Sequence, residues 1–151
     1  MKEVKQMEKL EALKKFLEVS EEDAQDIQED TQENLFTYYN EEYLVLTEEE
    51  ADERAKEDIL NSLWAFRASF IIKHCSTYED MDQWEYDSAV KSLEHAQCQE
   101  CENLNPLVKA LISNIDEFVE DSIDADGRGH FISYYDGKEN EQDGFYIYRI
   151  N

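Results

Sequence analysis

The sequence predicts an α+β protein that is mostly helical and carries a small antiparallel sheet, including a C-terminal hairpin. Apolar residues recur at helical spacing over most of the 151 residues, whereas β-branched and aromatic runs occur near residue 43 and after residue 130. The chain has one proline and four glycines, so it offers few breaks between elements. We therefore expect an acidic N-terminal helical region over residues 1–33 and a compact α+β domain over residues 34–151.

The N-terminal region predicts two helices. Five apolar residues recur at helical spacing over residues 1–18, which predicts the first helix. They are Val4, Met7, Leu10, Leu13 and Leu17. Ser20 is suited to cap a second helix, because its hydroxyl can accept a hydrogen bond from a backbone N–H of the first turn. The acidic residues 21–23 that follow are favourable at the positive end of the helix dipole.

The helical pattern stops beyond Asp30, where β-forming residues replace it. Residues 35–39 and 43–46 are rich in aromatic and β-branched side chains, and Asn40 between them predicts a turn. We assign a strand to Tyr43–Leu46.

A capping box at Thr47 and Glu50 opens the strongest helical pattern in the chain. Its apolar stripe continues to about His74, with a break expected near Ser62 or Arg67. The stripe begins with Ala51, Ala55, Ile59 and Leu63.

Two further helices are predicted in the middle of the chain. One begins after Thr77 or Asp80 and runs to about Cys101. The other is capped by Asn105 and has Pro106 in its first turn, a favoured position for proline. Its apolar face continues without a break through the acidic stretch that follows.

The C-terminal region predicts a hairpin. Phe131–Tyr135 and Phe145–Arg149 are aromatic and β-branched runs, separated by Asp136-Gly137 and a polar loop. Together with Tyr43–Leu46, these runs predict a three-stranded sheet packed on helices.

The net charge is the dominant chemical feature, at −24 from 38 acidic and 14 basic side chains. Such a surface repels nucleic acid and anionic membranes, and it attracts proteins with basic clefts. A compact domain of this length is roughly 38 Å across, and duplex DNA of that length carries about 22 charges. DNA mimicry is therefore the specific hypothesis, and solubility is the simpler one.

Several function classes are disfavoured by the sequence. The N-terminus has no apolar core of a signal peptide, and no apolar run reaches membrane-spanning length. Three cysteines, an odd number, are typical of a reducing compartment. We expect a cytoplasmic protein with no membrane partner and no direct nucleic-acid binding.

One cysteine motif raises the question of a metal. Cys98 and Cys101 form a Cys-x-x-Cys with His95 three residues before it, and Cys75 offers a fourth ligand for zinc. A structural zinc site usually pairs two such motifs, so buried or unreactive thiols are the simpler interpretation. We expect no metal and no cofactor.

Asp126, Arg128 and His130, with glycines between them, form the densest cluster of special residues. An enzyme centred on these three groups is a minor hypothesis, because together they offer acid-base chemistry. In the structural interpretation, Gly127 ends a helix, Arg128 pairs with Asp126 or Asp124, and His130 begins a strand. We expect no catalytic residue, because no nucleophile or phosphate loop has a suitable spacing to this cluster.

Acidic residues are concentrated at the N-terminal end, where the first 60 residues hold 20 acidic and 7 basic side chains. Ten of these carboxylates are predicted to act as phosphate surrogates, each accepting charge-assisted hydrogen bonds from a lysine or arginine of a partner. They are Glu21, Glu22, Asp23, Asp26, Glu29, Asp30, Glu48, Glu49, Asp52 and Glu53.

Three parts of the chain resemble an uncharacterised family of small acidic proteins encoded by bacteriophages and prophages. They are Tyr43–Glu53 (YLVLTEEEADE), Ser62–Phe66 (SLWAF) and the region from Asp126 to Asn151, with its DGRGH, YDG and YIYRIN motifs. The resemblance implies a phage setting and no active site. By analogy, small acidic phage proteins include DNA mimics and other inhibitors of restriction or CRISPR nucleases.

We therefore expect a non-enzymatic, phage-encoded inhibitor that binds a basic nucleic-acid-binding protein of the host by imitating the charge of DNA. The alternative is an accessory phage protein with a structural or self-assembly role, whose acidity serves only solubility. Association into a homodimer would accord with that alternative.

Overall fold

Seven α-helices and five β-strands make up residues 2–151, the part of the chain that the computed structural model describes, with side chains described from Val4 onward. The predicted helical start at Met1 lies outside the described residues. The helices are α1 (Lys2–Leu17), α2 (Glu48–Asn61), α3 (Ala68–Lys73), α4 (Gln83–Glu100), α5 (Asn105–Leu111), α6 (Ile115–Asp126) and α7 (Arg128–Ile132). The strands are β1 (Ile27–Glu29), β2 (Leu35–Tyr38), β3 (Glu41–Leu46), β4 (Asn140–Gln142) and β5 (Phe145–Arg149). The predicted α+β class, mostly helical, is confirmed.

The chain folds into two compact units. The first unit contains the chain up to residue 55 together with residues 126–151, and the second contains residues 56–125. The sheet, α1 and α7 belong to the first unit, and α3, α4 and α5 belong to the second. This division does not follow the boundary expected near residue 33, because Leu13 of α1 and Ile27 of β1 share one apolar core with Phe36 and Val45.

The sheet of the first unit is antiparallel, with the strand order β1-β2-β3-β5-β4. The strand predicted at Tyr43–Leu46 is confirmed as part of β3, and all four of its residues are buried. A strand that is buried throughout needs cover on both faces of its sheet. Leu13 of α1 packs on one face. On the other face, the guanidinium of Arg128 in α7 lies 4.5 Å from the centre of the Tyr146 ring.

The helix predicted after Ser20 is wrong, and a single 3-10 turn at Asp23–Asp26 takes its place. The Ser20 hydroxyl does accept a hydrogen bond from the backbone N–H of Asp23, at 3.1 Å. The chain then enters β1, which pairs with β2, and Ile27 is buried in the core of the first unit. Strand pairing and this burial outweigh the local helical preference, which is a weak influence.

The predicted C-terminal hairpin is confirmed, but its first strand is Asn140–Gln142 and not Phe131–Tyr135. β4 pairs with β5 across the turn at Asp143-Gly144. Phe131–Tyr135, predicted as a strand, instead completes α7 and enters a turn. The physical reason is local, because the backbone N–H of Ser133 donates to the Gly129 carbonyl at 2.8 Å and closes a helical turn. His130 therefore lies in a helix and does not begin a strand.

The predicted capping box at the start of α2 is confirmed. The backbone N–H of Glu50 donates to Thr47 Oγ1 at 3.2 Å, and the backbone N–H of Thr47 donates to Glu50 Oε1 at 2.9 Å. The predicted apolar stripe is fully buried at Ala51, Ala55 and Ile59. The break predicted near Ser62 is also confirmed, because a 3-10 turn separates α2 from α3 there.

The second unit depends on side chains that satisfy the backbone of its turns. The helix predicted to end near Cys101 is confirmed as α4, although it begins after the Asp82 cap. Asn105 does not cap α5 as predicted, because Leu104 holds that position. The Asn105 side chain instead accepts from the Trp64 backbone N–H at 2.8 Å and donates to the Leu60 carbonyl at 3.1 Å.

The uninterrupted helix predicted beyond Pro106 is also wrong, because the chain breaks between α5 and α6. Ile112 forms an isolated β-bridge with Cys75. The next backbone N–H, that of Ser113, donates to the His74 carbonyl at 3.0 Å. Asn114 then caps α6, and its Oδ1 accepts from the Glu117 N–H at 3.1 Å. Pairing with the segment after α3 thus replaces one turn of helix.

Lys9 of α1 is buried inside the first unit, with 3% of its side chain exposed. Its ammonium donates to Glu50 Oε1 at 2.7 Å and to Asn34 Oδ1 at 2.6 Å. The Asn34 amide in turn donates to Glu50 Oε2 at 3.1 Å. These bonds join α1, the loop before β2 and the first turn of α2.

We expect Glu50→Gln to destabilise the protein more than Lys9→Met. Glutamine leaves the Lys9 ammonium buried without a counter-charge, which costs roughly 3–5 kcal/mol. Methionine leaves the Glu50 carboxylate unpaired, but this carboxylate is 34% exposed and can be hydrated. Lys9→Met should therefore lower the free energy of unfolding by only about 1–2 kcal/mol. Urea unfolding followed by circular dichroism measures both. The control is Lys5→Met on the exposed side of α1, and equal losses for the two test variants would contradict this ranking.

We also expect the effect of Glu50→Gln to depend on pH. Burial alone would raise the pKa of Glu50, but the Lys9 ammonium and the Thr47 groups outweigh burial and lower the pKa below its ordinary value. Because the pKa of Glu50 is lower in the folded than in the unfolded chain, its ionised form stabilises the fold. This stabilisation is complete at pH values above the unfolded-state pKa of about 4.3, and it is lost as the pH falls through the folded-state pKa.

The loss caused by Glu50→Gln should therefore be largest at neutral pH and shrink in the acid range below the unfolded value. Denaturant titrations at neutral pH and at several acid pH values measure it, with Leu13→Ala, a substitution in the apolar core, as the pH-independent control. A loss that stays constant on acidification would show that the ionised carboxylate is not what holds Lys9.

Candidate functional site

The ten carboxylates predicted to bind a partner all lie in the first unit, at two ends of its sheet. Asp30 follows β1, and Glu48 begins α2 directly after β3. These positions lie at the same end, because the Val45 N–H donates to the Asn34 carbonyl at 3.0 Å. Asp26 precedes β1 at the other end, where it accepts from the Tyr39 hydroxyl at 3.2 Å. The three residues of β1 separate the two ends by roughly 10 Å.

We name the two groups by their positions. The α2 acidic group consists of Glu29, Asp30, Glu48, Glu49, Asp52 and Glu53. The turn acidic group consists of Glu21, Glu22, Asp23 and Asp26. All ten side chains are exposed, so the structure brings six of the predicted residues toward one end of the sheet and places four at the other.

Three of the ten carboxylates have partners within the chain. Asp26 accepts from Tyr39, Asp30 accepts from the Gln32 backbone N–H at 3.0 Å, and Asp52 pairs with Arg128 at 2.9 Å. The other seven have no hydrogen-bond or ion-pair partner among the described residues. They are Glu21, Glu22, Asp23, Glu29, Glu48, Glu49 and Glu53.

Arg128 neutralises one carboxylate of the α2 acidic group, that of Asp52. Its Nη1 donates to Asp52 Oδ1 at 2.9 Å, and its Nε donates to Glu139 Oε1 at 2.8 Å. Burial opposes the charge of the guanidinium, but these two carboxylates outweigh burial and raise the pKa of Arg128 above its ordinary value. The predicted pairing of Arg128 with Asp126 or Asp124 is therefore wrong.

Glu139 also accepts a hydrogen bond from the buried hydroxyl of Tyr148. Burial, together with this carboxylate, raises the pKa of Tyr148, so the phenol stays a neutral donor. The Asp-Gly-Arg-Gly-His motif therefore supplies a structural cation, which links α7, α2 and the loop that carries Glu139.

The acid-base cluster considered for Asp126, Arg128 and His130 is not assembled. Gly127 ends α6 with φ +84°, as predicted, and Asp126 and His130 are both exposed. Within residues 4–151, no hydrogen bond joins either side chain to Arg128, which is held by Asp52 instead.

The cysteines are free thiols, and no metal set is formed by the described side chains. Cys98 and Cys101 are exposed, and Cys75 is half-buried. Burial raises the pKa of the Cys75 thiol. Across the described part of the chain, no group of three or more His, Cys, Asp or Glu side chains is arranged to hold a metal ion.

The sequence did not reveal the contacts that select the unneutralised carboxylates. The Gly-Arg-Gly pattern pointed to Arg128, but its partner Asp52 lies 76 positions away. Similarly, nothing in the sequence marks Lys9 of α1 as buried, and its partner Glu50 lies 41 residues away. Contacts this distant in sequence leave no local pattern.

No protein-family model, curated protein or solved structure matches this chain. Among the described helices, none has both the length and the apolar character that crossing a membrane requires.

We expect Gly129→Ala to loosen the Arg128 site. A Cβ at Gly129 would lie 2.6 Å from the Gly137 carbonyl oxygen and 2.7 Å from the Lys138 carbonyl carbon, so the loop that carries Glu139 must shift. Overpacking of this kind costs roughly 1–3 kcal/mol. Thermal unfolding measures the loss, and the NMR signal of the Arg128 Nε–H reports the local change.

Gly144→Ala is the matched control for this substitution. Gly144 has φ +82°, and a Cβ there would meet nothing within 4 Å, so only backbone strain of about 1–2 kcal/mol is expected. The Arg128 signal should not move in this variant. An unchanged Arg128 signal in Gly129→Ala would contradict the coupling between Gly129 and the Glu139 loop.

Proposed function

We propose that this protein is a phage-encoded, non-enzymatic inhibitor of a host nucleic-acid-binding defence protein, such as a restriction or CRISPR nuclease. It acts in the host cytoplasm by offering its exposed carboxylates to the basic surface that would otherwise hold DNA. The resemblance to small acidic phage proteins suggests the setting. The observation that carries the proposal is the set of seven exposed carboxylates without partners in the first unit.

These carboxylates lack partners because nearby cations are engaged elsewhere. Lys9 is buried against Glu50, Lys15 pairs with Asp143 at 2.8 Å, and Arg128 bridges two carboxylates. A partner's lysine or arginine can therefore form charge-assisted bonds to the acidic groups without first displacing an internal cation. Surface charges of one sign also speed the encounter with a basic partner.

The start of α2 has the highest local density of carboxylates. Its first six residues, Glu48–Glu53, include five carboxylates over roughly 9 Å of helix axis. Duplex DNA carries about five charges over that length. Lys9 and Arg128 neutralise two of the five, so Glu48, Glu49 and Glu53 remain. The three that remain amount to one charge per roughly 3 Å of helix axis, close to the spacing of phosphates along one strand of DNA. The partner's complementary feature would be a compact cluster of basic side chains.

Self-assembly is the second candidate, and exposed apolar residues of α1 favour it. Val4 and Met7 are about one helical turn apart, and each residue is more than half exposed. Residues three apart share a helix face, so they offer a small apolar patch to a second copy. This role needs no host partner, which separates it from inhibition.

We expect a change of four Glu to Gln in the acidic groups to weaken inhibition far more than the same change elsewhere. The test variant carries Glu21→Gln, Glu22→Gln, Glu48→Gln and Glu49→Gln. The control carries Glu94→Gln, Glu100→Gln, Glu102→Gln and Glu120→Gln, four exposed residues of the second unit. Both variants lose four charges, so they have the same net charge.

The measurement is displacement of a labelled duplex from a panel of purified restriction and CRISPR nucleases, followed by fluorescence anisotropy. The test variant should lose at least about tenfold in inhibition, and the control should stay close to the unaltered protein. Added salt should weaken inhibition, because exposed charges are screened. Equal losses in both variants would mean that only total charge matters. If no nuclease is inhibited and sedimentation shows a stable oligomer, self-assembly replaces the proposal.

A further inference from the structure

A groove in the second unit lies between the end of α3 and the start of α4. Its volume is about 380 Å³, which is within the range of ligand pockets. Two tyrosines, a methionine, two carboxylates and one ammonium line it. These are Tyr78, Tyr86, Met81, Glu79, Asp82 and Lys73. A neighbouring cavity of about 240 Å³ shares Lys73, Tyr78 and Glu79.

The walls of the groove are fixed by local bonds. Asp82 Oδ1 accepts from the Glu85 backbone N–H at 2.8 Å, and the Glu85 side chain accepts from the Asp82 backbone N–H, which completes a capping box. The Tyr78 and Tyr86 rings pack edge to face, with their centres 5.8 Å apart. A cap and a ring pair on adjacent elements give the groove a defined shape without a ligand.

The charge around the groove is strongly negative. Residues 79–87 contain five carboxylates and no lysine or arginine. None of these carboxylates forms an ion pair with a described side chain, although Asp87 accepts from the Gln83 amide at 2.9 Å. Lys73 also forms no ion pair within the described chain, so the two lining carboxylates outnumber the one lining cation.

An exposed tryptophan lies beside the groove in sequence. Trp84 is 76% exposed, the largest exposed fraction among the large apolar side chains described. It follows Gln83, which lines the groove. A tryptophan left in water is unusual in a stable fold, and such side chains are frequent anchors of protein interfaces.

We propose that this groove binds an arginine side chain from a basic segment of a partner protein. The guanidinium would stack on a tyrosine ring, while Glu79 and Asp82 accept its N–H groups. Arginine suits this site better than lysine, because a planar guanidinium stacks on rings and bonds a carboxylate through two donors. The groove would add a specific contact to the acidic groups of the first unit, and in this respect the inference rests on the proposed function.

The test uses the whole protein and the peptide Gly-Gly-Arg-Gly-Gly, compared with a peptide in which neutral citrulline replaces arginine. Binding is followed by NMR signals of the tyrosine and tryptophan rings. The arginine peptide should shift the signals of Tyr78 and Tyr86, which line the groove, and the citrulline peptide should not. Equal binding of both peptides overturns the proposal.

Variants locate the contact. The pair Glu79→Gln and Asp82→Asn should weaken binding at least about fivefold, and asparagine keeps the helix cap. The control pair, Glu120→Gln and Asp124→Asn, removes the same charge from exposed positions of α6 that line neither the groove nor the acidic groups and should change binding less than about twofold. Equal effects of the two pairs would show unspecific attraction and overturn the proposal.

Lys73→Gln tests whether the groove binds a cation or an anion. Removal of this ammonium should tighten binding of the arginine peptide, because it removes a like charge from the groove wall. Weaker binding in this variant overturns the proposal. The peptide test is independent of the nuclease assay. If Glu79→Gln with Asp82→Asn leaves peptide binding intact, while the variant with four Glu→Gln changes in the acidic groups still loses inhibition, the proposed groove site is wrong and the proposed function stands.

Discussion

The ion pair between the buried Lys9 ammonium and the partly exposed Glu50 carboxylate is the contact on which the first unit depends. A buried ammonium is stable only when it is paired and fully hydrogen-bonded. Both oxygens of Glu50 accept hydrogen bonds. Oε1 accepts from the Lys9 ammonium and from the Thr47 N–H, and Oε2 accepts from the Asn34 amide. One carboxylate therefore caps α2, holds α1 and fixes the loop before β2. Of the 38 acidic residues in the chain, Glu50 is one whose charge the fold itself requires.

Pairing of basic side chains inside the first unit also explains why so many of its carboxylates remain without a counter-charge. In the first unit, 9 basic residues stand against 23 acidic ones, and several cations are engaged internally. Arg149, for example, lies 3.7 Å from the centre of the Tyr135 ring and 3.4 Å from Glu41. The second unit has 5 basic and 15 acidic residues. Charge that is uneven along the sequence is therefore similar in the two folded units, at −14 and −10.

Local patterns identified much of the fold. The capping box at Thr47, the alanine stripe of α2 and the strand at Tyr43–Leu46 each follow from neighbouring residues. Residues 27–29 were predicted wrongly because a distant contact decides their structure, since they form a strand by pairing with β2. The run beginning at Phe131 was predicted wrongly for a local reason, because the glycine turn before it places Phe131 and Ile132 in α7. The sequence predicts a surface position for all ten acidic residues. Their separation into two groups depends on how the strands pair, which the sequence does not reveal.

Not every exposed carboxylate calls for a partner, because some have structural reasons to be acidic. β1 is an edge strand, and charged side chains such as Glu29 protect an edge from pairing with other chains. Glu48 and Glu49 lie in the first turn of α2, where negative charge complements the helix dipole. Neither reason applies to Glu53 in the second turn or to Glu21 before the first 3-10 turn. The fold leaves the charge of these two exposed residues unexplained, and the contact with a basic partner that we propose would account for it.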